Sequence, residues 1–463
     1  MSDTQRPEPA TATHDLPRRD FLRTAAVGAA GIALSSLPGS AHAMSAASYR
    51  RILGANARIR VGVVGYSDRF RQALLPALQA IRPDFDFEIV AVSDIWNRRR
   101  DEGVAGIEKA TGRRPVAYRN NEEMYAARAT DAVVISTADH QHWYHGVEAM
   151  RANQDAYIEK PLAHTMREAR AIREAVRQSG KIVQIGTQRR SARNYQLANE
   201  YIRSGAFGDI VMAEMTWNVN QPGRWRRPKL VAEIREEDTD WGRFLIDYPK
   251  EPWDPRKYVE YRLFWPYSSG IPDQWMVHQI DTVHWFTSLP RPRSVVANGG
   301  IYLWKDGRTN WDTATIVFDY GPLDDASKGF QVVYASRMTN SAGDVKERYY
   351  SNAGMLDLDT NEITPAGGLT ERYAGEMAMK ANLLPTSKLG DDTRAETAAN
   401  TGGDPVTTAH VRNWLECVVS RRAPNAGIEA GYDHSTALAM TVAAMQSGKR
   451  VGFDDVKQDV VIA

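Results

Sequence analysis

The chain has 463 residues, 43% hydrophobic and 25% charged, which is ordinary for a soluble globular protein and too long for one core. Its 58 basic and 57 acidic side chains leave a formal net charge of +1, so no global field draws it to nucleic acid or anionic lipid. One cysteine, Cys417, excludes an internal disulfide, and within the helical pattern of 411–419 it reads as a small buried hydrophobe.

The first 43 residues read as a targeting segment. Arg18-Arg19-Asp20-Phe21-Leu22 is a twin-arginine pattern, an Ala- and Gly-rich run follows from Thr24 to Leu37, and Ala41-His42-Ala43 is a small-x-small cleavage site. The run is too short to span a bilayer. The expectation is export to the periplasm, cleavage after about Ala43, and no membrane insertion of the mature chain. The twin-arginine route carries folded proteins, which suits a chain without disulfides that takes up a cofactor before leaving. Residues 44–57 read as a linker.

From 58 to 185, short β-branched runs alternate with helical patterns. Ile59–Gly65, Phe87–Val92, Ala132–Ser136, Ala156–Glu159 and Lys181–Ile185 read as strands; Phe70–Ile81, Arg98–Ala110, Tyr144–Asn153 and Met166–Ser179 read as helices. That alternation predicts an α/β domain, a doubly wound Rossmann sheet with parallel strands. Residues 186–463 read as an α+β domain on a large, mostly antiparallel open sheet. Its strands are Ile210–Asn218, Ser294–Asn298, Thr313–Asp319, Gly329–Ala335 and Glu347–Ser351. Its helices are Asn194–Ser204 and Val277–Thr287, with Val406–Val419 and Gly431–Gln446 closing the chain. An irregular stretch, 220–269, is dense in Trp, Tyr and Pro, and 385–404 is rich in Gly, Thr and Asp.

Gly65-Tyr66-Ser67-Asp68-Arg69-Phe70 stands where a G-x-G-x-x-G turn would follow the first strand, but only Gly65 remains. The segment fits a dinucleotide turn and, equally, a plain strand-to-helix turn. Ser67, Asp68 and Arg69 are candidate cofactor contacts. Asp94 ends the second strand, where a carboxylate takes both ribose hydroxyls; this favours NAD, while Arg98 and Arg99 keep NADP open. Lys160 ends another parallel strand, on the side where such sheets bind ligands, and partial burial there lowers an ammonium pKa into the acid/base range.

Three post-strand segments carry a resemblance: Ser136-Thr137-Ala138-Asp139-His140-Gln141-His142, Glu159-Lys160-Pro161, and Ile185-Gly186-Thr187-Gln188-Arg189-Arg190. Together they resemble the Gfo/Idh/MocA oxidoreductases, and the resemblance covers nearly everything after residue 57. It implies a nicotinamide cofactor, NAD or NADP, held tightly and contacted by Thr137, His140, His142, Glu159 and Lys160. It also implies a small carbohydrate or polyol substrate near Gln188 and Arg189, Lys160 as a catalytic residue, and a homo-oligomer, dimer or tetramer. The family pattern Asp-x-x-x-His with a later Asp falls on Gln274, His278 and Asp281. Those positions share one helical face, but Gln274 cannot accept a proton, so general-base work would rest on Lys160 and His278. His284 lies off that face, and no metal site is expected; His145 reads as a packed helix histidine. Trp225, Trp241, Trp253 and Trp265 suit sugar stacking, and equally suit packing of the long loop.

The implied activity is oxidation of a sugar hydroxyl by hydride transfer. Outside the cytoplasm no soluble NAD pool recycles a cofactor. That leaves open a redox-cycling glycoside hydrolase or lyase, or a sugar-binding protein that has lost catalysis.

Overall fold

In the computed structural model, which describes residues 58–390 and 404–463, the early β-branched runs become one sheet. Its strands are β1 (Ile59–Val64), β2 (Phe87–Ser93), β3 (Val116–Tyr118), β4 (Ala132–Ile135), β5 (Asp155–Ile158) and β6 (Val183–Ile185). Their order is β3-β2-β1-β4-β5-β6, and every pairing is parallel. The order reverses between β1 and β4, so a ligand crevice opens at the carboxyl ends of those two strands. β4 and β5 are buried along their whole length, as strands covered by helices on both faces must be.

The helices between them start and stop where local chemistry directs. Thr165 and Glu168 form a reciprocal capping box at the start of helix Met166–Ser179, and Gly180, at φ +61°, takes the left-handed turn that ends it. The twin-arginine segment and the linker lie outside the described residues, as does 391–403 of the Gly/Thr/Asp-rich stretch.

The second sheet has ten strands. β7 (Ile210–Asn218), β8 (Ser294–Gly300), β9 (Thr313–Tyr320), β10 (Phe330–Arg337) and β11 (Val345–Ser351) are its long members. β12 (Gly354–Asp357), β13 (Glu362–Thr364), β14 (Ser387–Lys388), β15 (Val451–Asp454) and β16 (Asp459–Ile462) extend its edges. The order is β14-β13-β12-β11-β7-β10-β9-β8-β15-β16, antiparallel except for the parallel pair β7–β10. Alternation turns Ile316, Phe318, Val332, Tyr334 and Tyr349 onto one face, where all are fully buried in one core with Ile280, Val283 and Leu438.

Helix Pro405–Ser420 differs from its sequence assignment. Its Val411, Trp414, Leu415 and buried Cys417 pack with Val61, Val63 and Leu78 of the first sheet's layer, not with the second sheet. The chain therefore returns to its first domain after building the second, and residues Ile59–Ala463 form one compact unit.

Candidate active site

Two adjoining cavities occupy the crevice at the strand ends. The first, about 310 Å³, lies beside Gly65, Asp94, Trp96 and Arg99; the second, about 490 Å³, lies beside Lys160, Gln274 and His278. Ser67, Asp68, Thr137, Trp225, Arg227 and Arg262 border both.

The first cavity is fitted to a dinucleotide. Gly65 has φ +81°, and a Cβ there would lie 2.7 Å from Thr137 Cγ2, so the backbone comes close where only glycine allows it. Asp94 is fixed by the backbone N–H groups of Tyr66 and Trp96, each donating at 2.9 Å, and burial raises its pKa. Each of its oxygens keeps a further lone pair for a ribose hydroxyl. Ser67 caps the following helix by accepting from Phe70 N at 3.2 Å. Burial would raise the pKa of Asp68, but Arg99, Arg71 and Arg227 hold it below the usual carboxylate range. Arg69 pairs with Glu159 at 2.8 Å and reaches Thr407 of the returning helix.

The second cavity brings Lys160, just beyond the end of β5, together with Gln274 and His278 of one later helical segment. Lys160 Nζ donates to the carbonyls of Asp273 at 3.1 Å and Gln274 at 3.0 Å. Burial, opposed by Asp139 and Glu159, brings its pKa down to about 8. As a free amine it keeps both N–H donors on those carbonyls and turns its lone pair to the remaining direction. Burial, with Lys160 and Arg189 nearby, holds the His278 imidazole well below its usual pKa, so the ring is neutral. Its Nδ1 is buried without a partner among the described residues, as are His142 Nε2, Gln188 Oε1 and Thr137 Oγ1 on the same walls. His142 Nδ1 faces the Pro161 carbonyl at 2.8 Å; a carbonyl only accepts, so Nδ1 carries the proton and Nε2 is a free acceptor. Buried polar groups rarely stay unpaired, and a hydroxyl-rich ligand is what this set would pair with.

Gln274 does not stand alone where the sequence lacks a carboxylate. Its amide donates to Asp139 and its oxygen accepts from Arg262 Nε at 2.9 Å. Asp139, which also accepts from Ser268 at 2.7 Å, lines the cavity and supplies a carboxylate beside Lys160. Sequence reading quoted Asp139 but gave it no role; its place just beyond β4, next to Thr137, was the available signal. The neighbouring Asp273 turns away to His164, 2.8 Å from its Nε2.

An aromatic wall faces these groups. Trp217 stacks on Trp275 with centroids 6.1 Å apart and on His278 at 5.9 Å, and Trp225 lies 5.2 Å from Trp275. Trp225 holds a left-handed backbone, φ +64°, which costs a bulky residue about 1–3 kcal/mol and marks a conformation imposed by its surroundings.

Several expected site residues lie elsewhere. Asp281 is fully buried and bidentate to Arg190 at 2.8 and 3.0 Å; burial would raise its pKa, but Arg190 and His434 hold it far below normal. It faces the helix layer because i+7 from Gln274 on this segment crosses a π-helical turn, Pro272–Met276, which shifts the face. Arg189 pairs with Glu347 beneath Tyr195 and Trp217, outside the cavity. His140 lies beneath the long loop: its Nε2 faces the Phe244 carbonyl at 2.7 Å, it stacks on Tyr248, and burial lowers its pKa to about 3. Trp241 and Trp253 pack against each other, and Trp265 lies on His164; of the four tryptophans singled out, Trp225 reaches the cavities. His284 Nδ1 faces the Leu289 carbonyl at 2.8 Å, and His145 pairs with Glu148 at 3.1 Å.

Among the described residues, Asp139, His164 and Asp273 group their ligand atoms within 4.8 Å of one another. Burial would lower the His164 pKa, but Asp273 raises it to about 9, and its Nδ1 faces the Pro266 carbonyl at 3.2 Å. An imidazolium held between two acceptors has no lone pair for a metal. The cluster is an ion pair.

Residues 59–187 match the family model described as "Oxidoreductase family, NAD-binding Rossmann fold", the Gfo/Idh/MocA model. A glycosyl hydrolase family 109 protein of Shewanella sp. (strain W3-18-1) is 25% identical over 237 residues, 46% of this chain and 50% of that protein. An inositol 2-dehydrogenase of Cereibacter sphaeroides is 30% identical over 161 residues, 35% of this chain and 46% of that one. The chain thus spans about half the length of the curated relatives it matches. An oxidoreductase from Agrobacterium radiobacter, solved with NAD+, L-tartaric acid and magnesium, superposes with a TM-score of 0.59 at 14% identity. That match covers 85% of this chain and 98% of the other, and shows a shared fold.

Proposed function

From a chain whose residues 59–187 form the NAD-binding Rossmann domain of the Gfo/Idh/MocA oxidoreductase family, we infer an enzyme that oxidises a hydroxyl of a sugar or polyol. The observation that carries this reading is the shared second cavity of Lys160 and His278, which opens onto the Gly65–Asp94 cavity. When bound, the nicotinamide supplies the hydride acceptor. Lys160, anchored by two carbonyls, takes the hydroxyl proton; neutral His278 holds that hydroxyl through an unused ring nitrogen. Trp217, Trp225 and Trp275 offer apolar faces to the sugar's C–H groups. NAD is favoured over NADP: a 2′-phosphate would meet Asp94, while Arg98 is engaged by Glu102 and Glu233, and Arg99 by Asp68 and Glu102.

The experiment is release of bound dinucleotide on denaturation, followed by sugar-dependent formation of reduced nicotinamide. NAD(H) in the supernatant and sugar-dependent reduction are expected. Protein that neither carries nor takes up a dinucleotide would leave a sugar-binding protein instead.

A second reading, redox-neutral glycoside cleavage, is favoured by the similarity to glycosyl hydrolase family 109 proteins. Here the transient ketone acidifies the neighbouring C–H, Lys160 or His278 takes that proton, the aglycone leaves protonated as an alcohol, water adds to the resulting enone, and the ketone is reduced again by the hydride removed at the start. Phenol released from aryl glycosides without net reduction of NAD distinguishes it.

Export by the twin-arginine route belongs to the same reading, and Arg18→Lys with Arg19→Lys should retain the protein in the cytoplasm on cell fractionation. Among the described residues no helix is long and apolar enough to cross a membrane. Assembly as a dimer or tetramer is read by size exclusion with light scattering, and a monomer would remove it.

A further inference from the structure

Arg224 is the odd charge of the second cavity. Arg69 there is paired with Glu159, Arg227 lies 3.7 Å from Asp68, and Arg262 is bonded to Gln274 beside Asp139. Arg224 has no carboxylate within ion-pair distance among the described residues. Its one side-chain bond goes to the neutral oxygen of Gln221, and its Nε is buried without a partner. Its guanidinium lies 5.4 Å from the Trp275 ring and 6.0 Å from Trp225. Burial first, then the like charges of Arg262 and Arg227, bring its pKa down to about 10, and nothing among the described residues offsets its charge. An unpaired, half-buried cation costs stability unless something else supplies the counter-charge.

The position says what supplies it. Arg224 borders only the second cavity, whereas Arg227 and Arg262 border both, so the cations that face the dinucleotide side are other residues. It stands at the end of the ring stack that runs from His278 through Trp217 to Trp275. A sugar lying along that stack would hold one end at His278 and the other at Arg224. The left-handed backbone of Trp225, the next residue, belongs to the same turn.

Resting on the oxidoreductase reading, we propose that the substrate is an acidic sugar or polyol whose single carboxylate docks on the Arg224 guanidinium. One guanidinium without a counter-charge matches one negative charge, and its planar fork, once the single bond to Gln221 is exchanged, matches a carboxylate. Neutral sugars leave Arg224 unpaired and bind more weakly.

The test is quenching of tryptophan fluorescence, with Trp225 and Trp275 as adjacent reporters, on the protein saturated with NAD. The probes are glucuronate, galacturonate and gluconate, each against its neutral sugar, and glucose 6-phosphate. At least one carboxylate should bind about tenfold or more tighter than its neutral parent, with the gap closing as salt rises. Arg224→Gln should erase the gap by weakening acidic sugars about tenfold while changing neutral ones far less, with a thermal midpoint no lower than the parent's as the check on folding; Arg224→Lys should keep part of the gap. Equal affinity for acidic and neutral sugars, no binding of any probe, a preference that survives in Arg224→Gln, or tightest binding of the phosphate ester overturns the proposal. Formation of reduced nicotinamide is read separately. Acid preference without reduction keeps the carboxylate site and removes the oxidation, and reduction by neutral sugars alone does the reverse.

Discussion

Lys160 shows how surroundings change the acid–base chemistry of one residue. A lysine in water is protonated at neutral pH. Here burial brings the pKa to about 8, and two backbone carbonyls fix the direction of the nitrogen. A base must lose its proton first, so turnover should rise with pH and level off above about 8. Lys160→Met should lower kcat by about 10²–10⁴-fold and abolish that limb of the profile. A variant that keeps both would assign the proton transfer elsewhere. The residue type, its strand-end position and the direction of the shift were legible in the sequence, because they depend only on local pattern and on where parallel sheets end. The role of Asp139 was not, because its bond to Gln274 joins residues 135 positions apart. Asp281 and Arg189 failed for a related reason: a charged residue near a motif looks alike whether its partner is a substrate or another part of the chain.

At the scale of elements, legibility followed length. Helices Met166–Ser179 and Val277–Thr287 and strand Ile210–Asn218 coincide with their expected bounds, since each carries several periods of its pattern. β3 and β12 to β16 were not read; at two to four residues each they hold too little pattern, and pairing across the sheet defines them. Helix Pro405–Ser420 was found but assigned to the wrong layer, because an amphipathic face does not say which sheet it covers. Trp414, fully buried against the first sheet's layer beside Tyr157, tests that packing. Trp414→Ala should destabilise by about 3–5 kcal/mol and weaken dinucleotide binding as well, because Thr407 of the same helix touches Arg69 beside Glu159. Chemical unfolding and NAD titration of one preparation read both effects, and loss of stability with unchanged NAD affinity would uncouple the helix from the site.

For the whole molecule, buried titratable groups set the pH range of stability. His140, His142, His278, His284 and His410 are buried with lowered pKa values, so below about 6.5 the unfolded chain gains protons there that the fold excludes, and stability falls as pH drops. His164, raised to about 9 by Asp273 against the opposing effect of burial, contributes in full below about 6.5 and loses its contribution as pH rises through 9. Asp433, which burial raises to about 8, loses its contribution progressively from about pH 4 to pH 8 and so steepens the fall above the maximum. Lys160 opposes it, but only above about 8. The thermal midpoint should therefore peak between about pH 6 and pH 7, and Asp433→Asn should flatten the alkaline side. A midpoint that climbs steadily from pH 6 to pH 8 would contradict this balance. The sequence by itself determined the alternating strands and helices, the parallel first sheet and the strand-end positions of Gly65, Asp94 and Lys160, because each follows from short-range periodicity and backbone sterics. Only the tertiary structure decided which charges are spent inside the protein and which face the cavity: Asp281 on Arg190, Arg189 on Glu347, Asp139 beside Lys160, and Arg224 on nothing in the described chain. Charge pairing is set by proximity in space, which the order of residues does not encode locally.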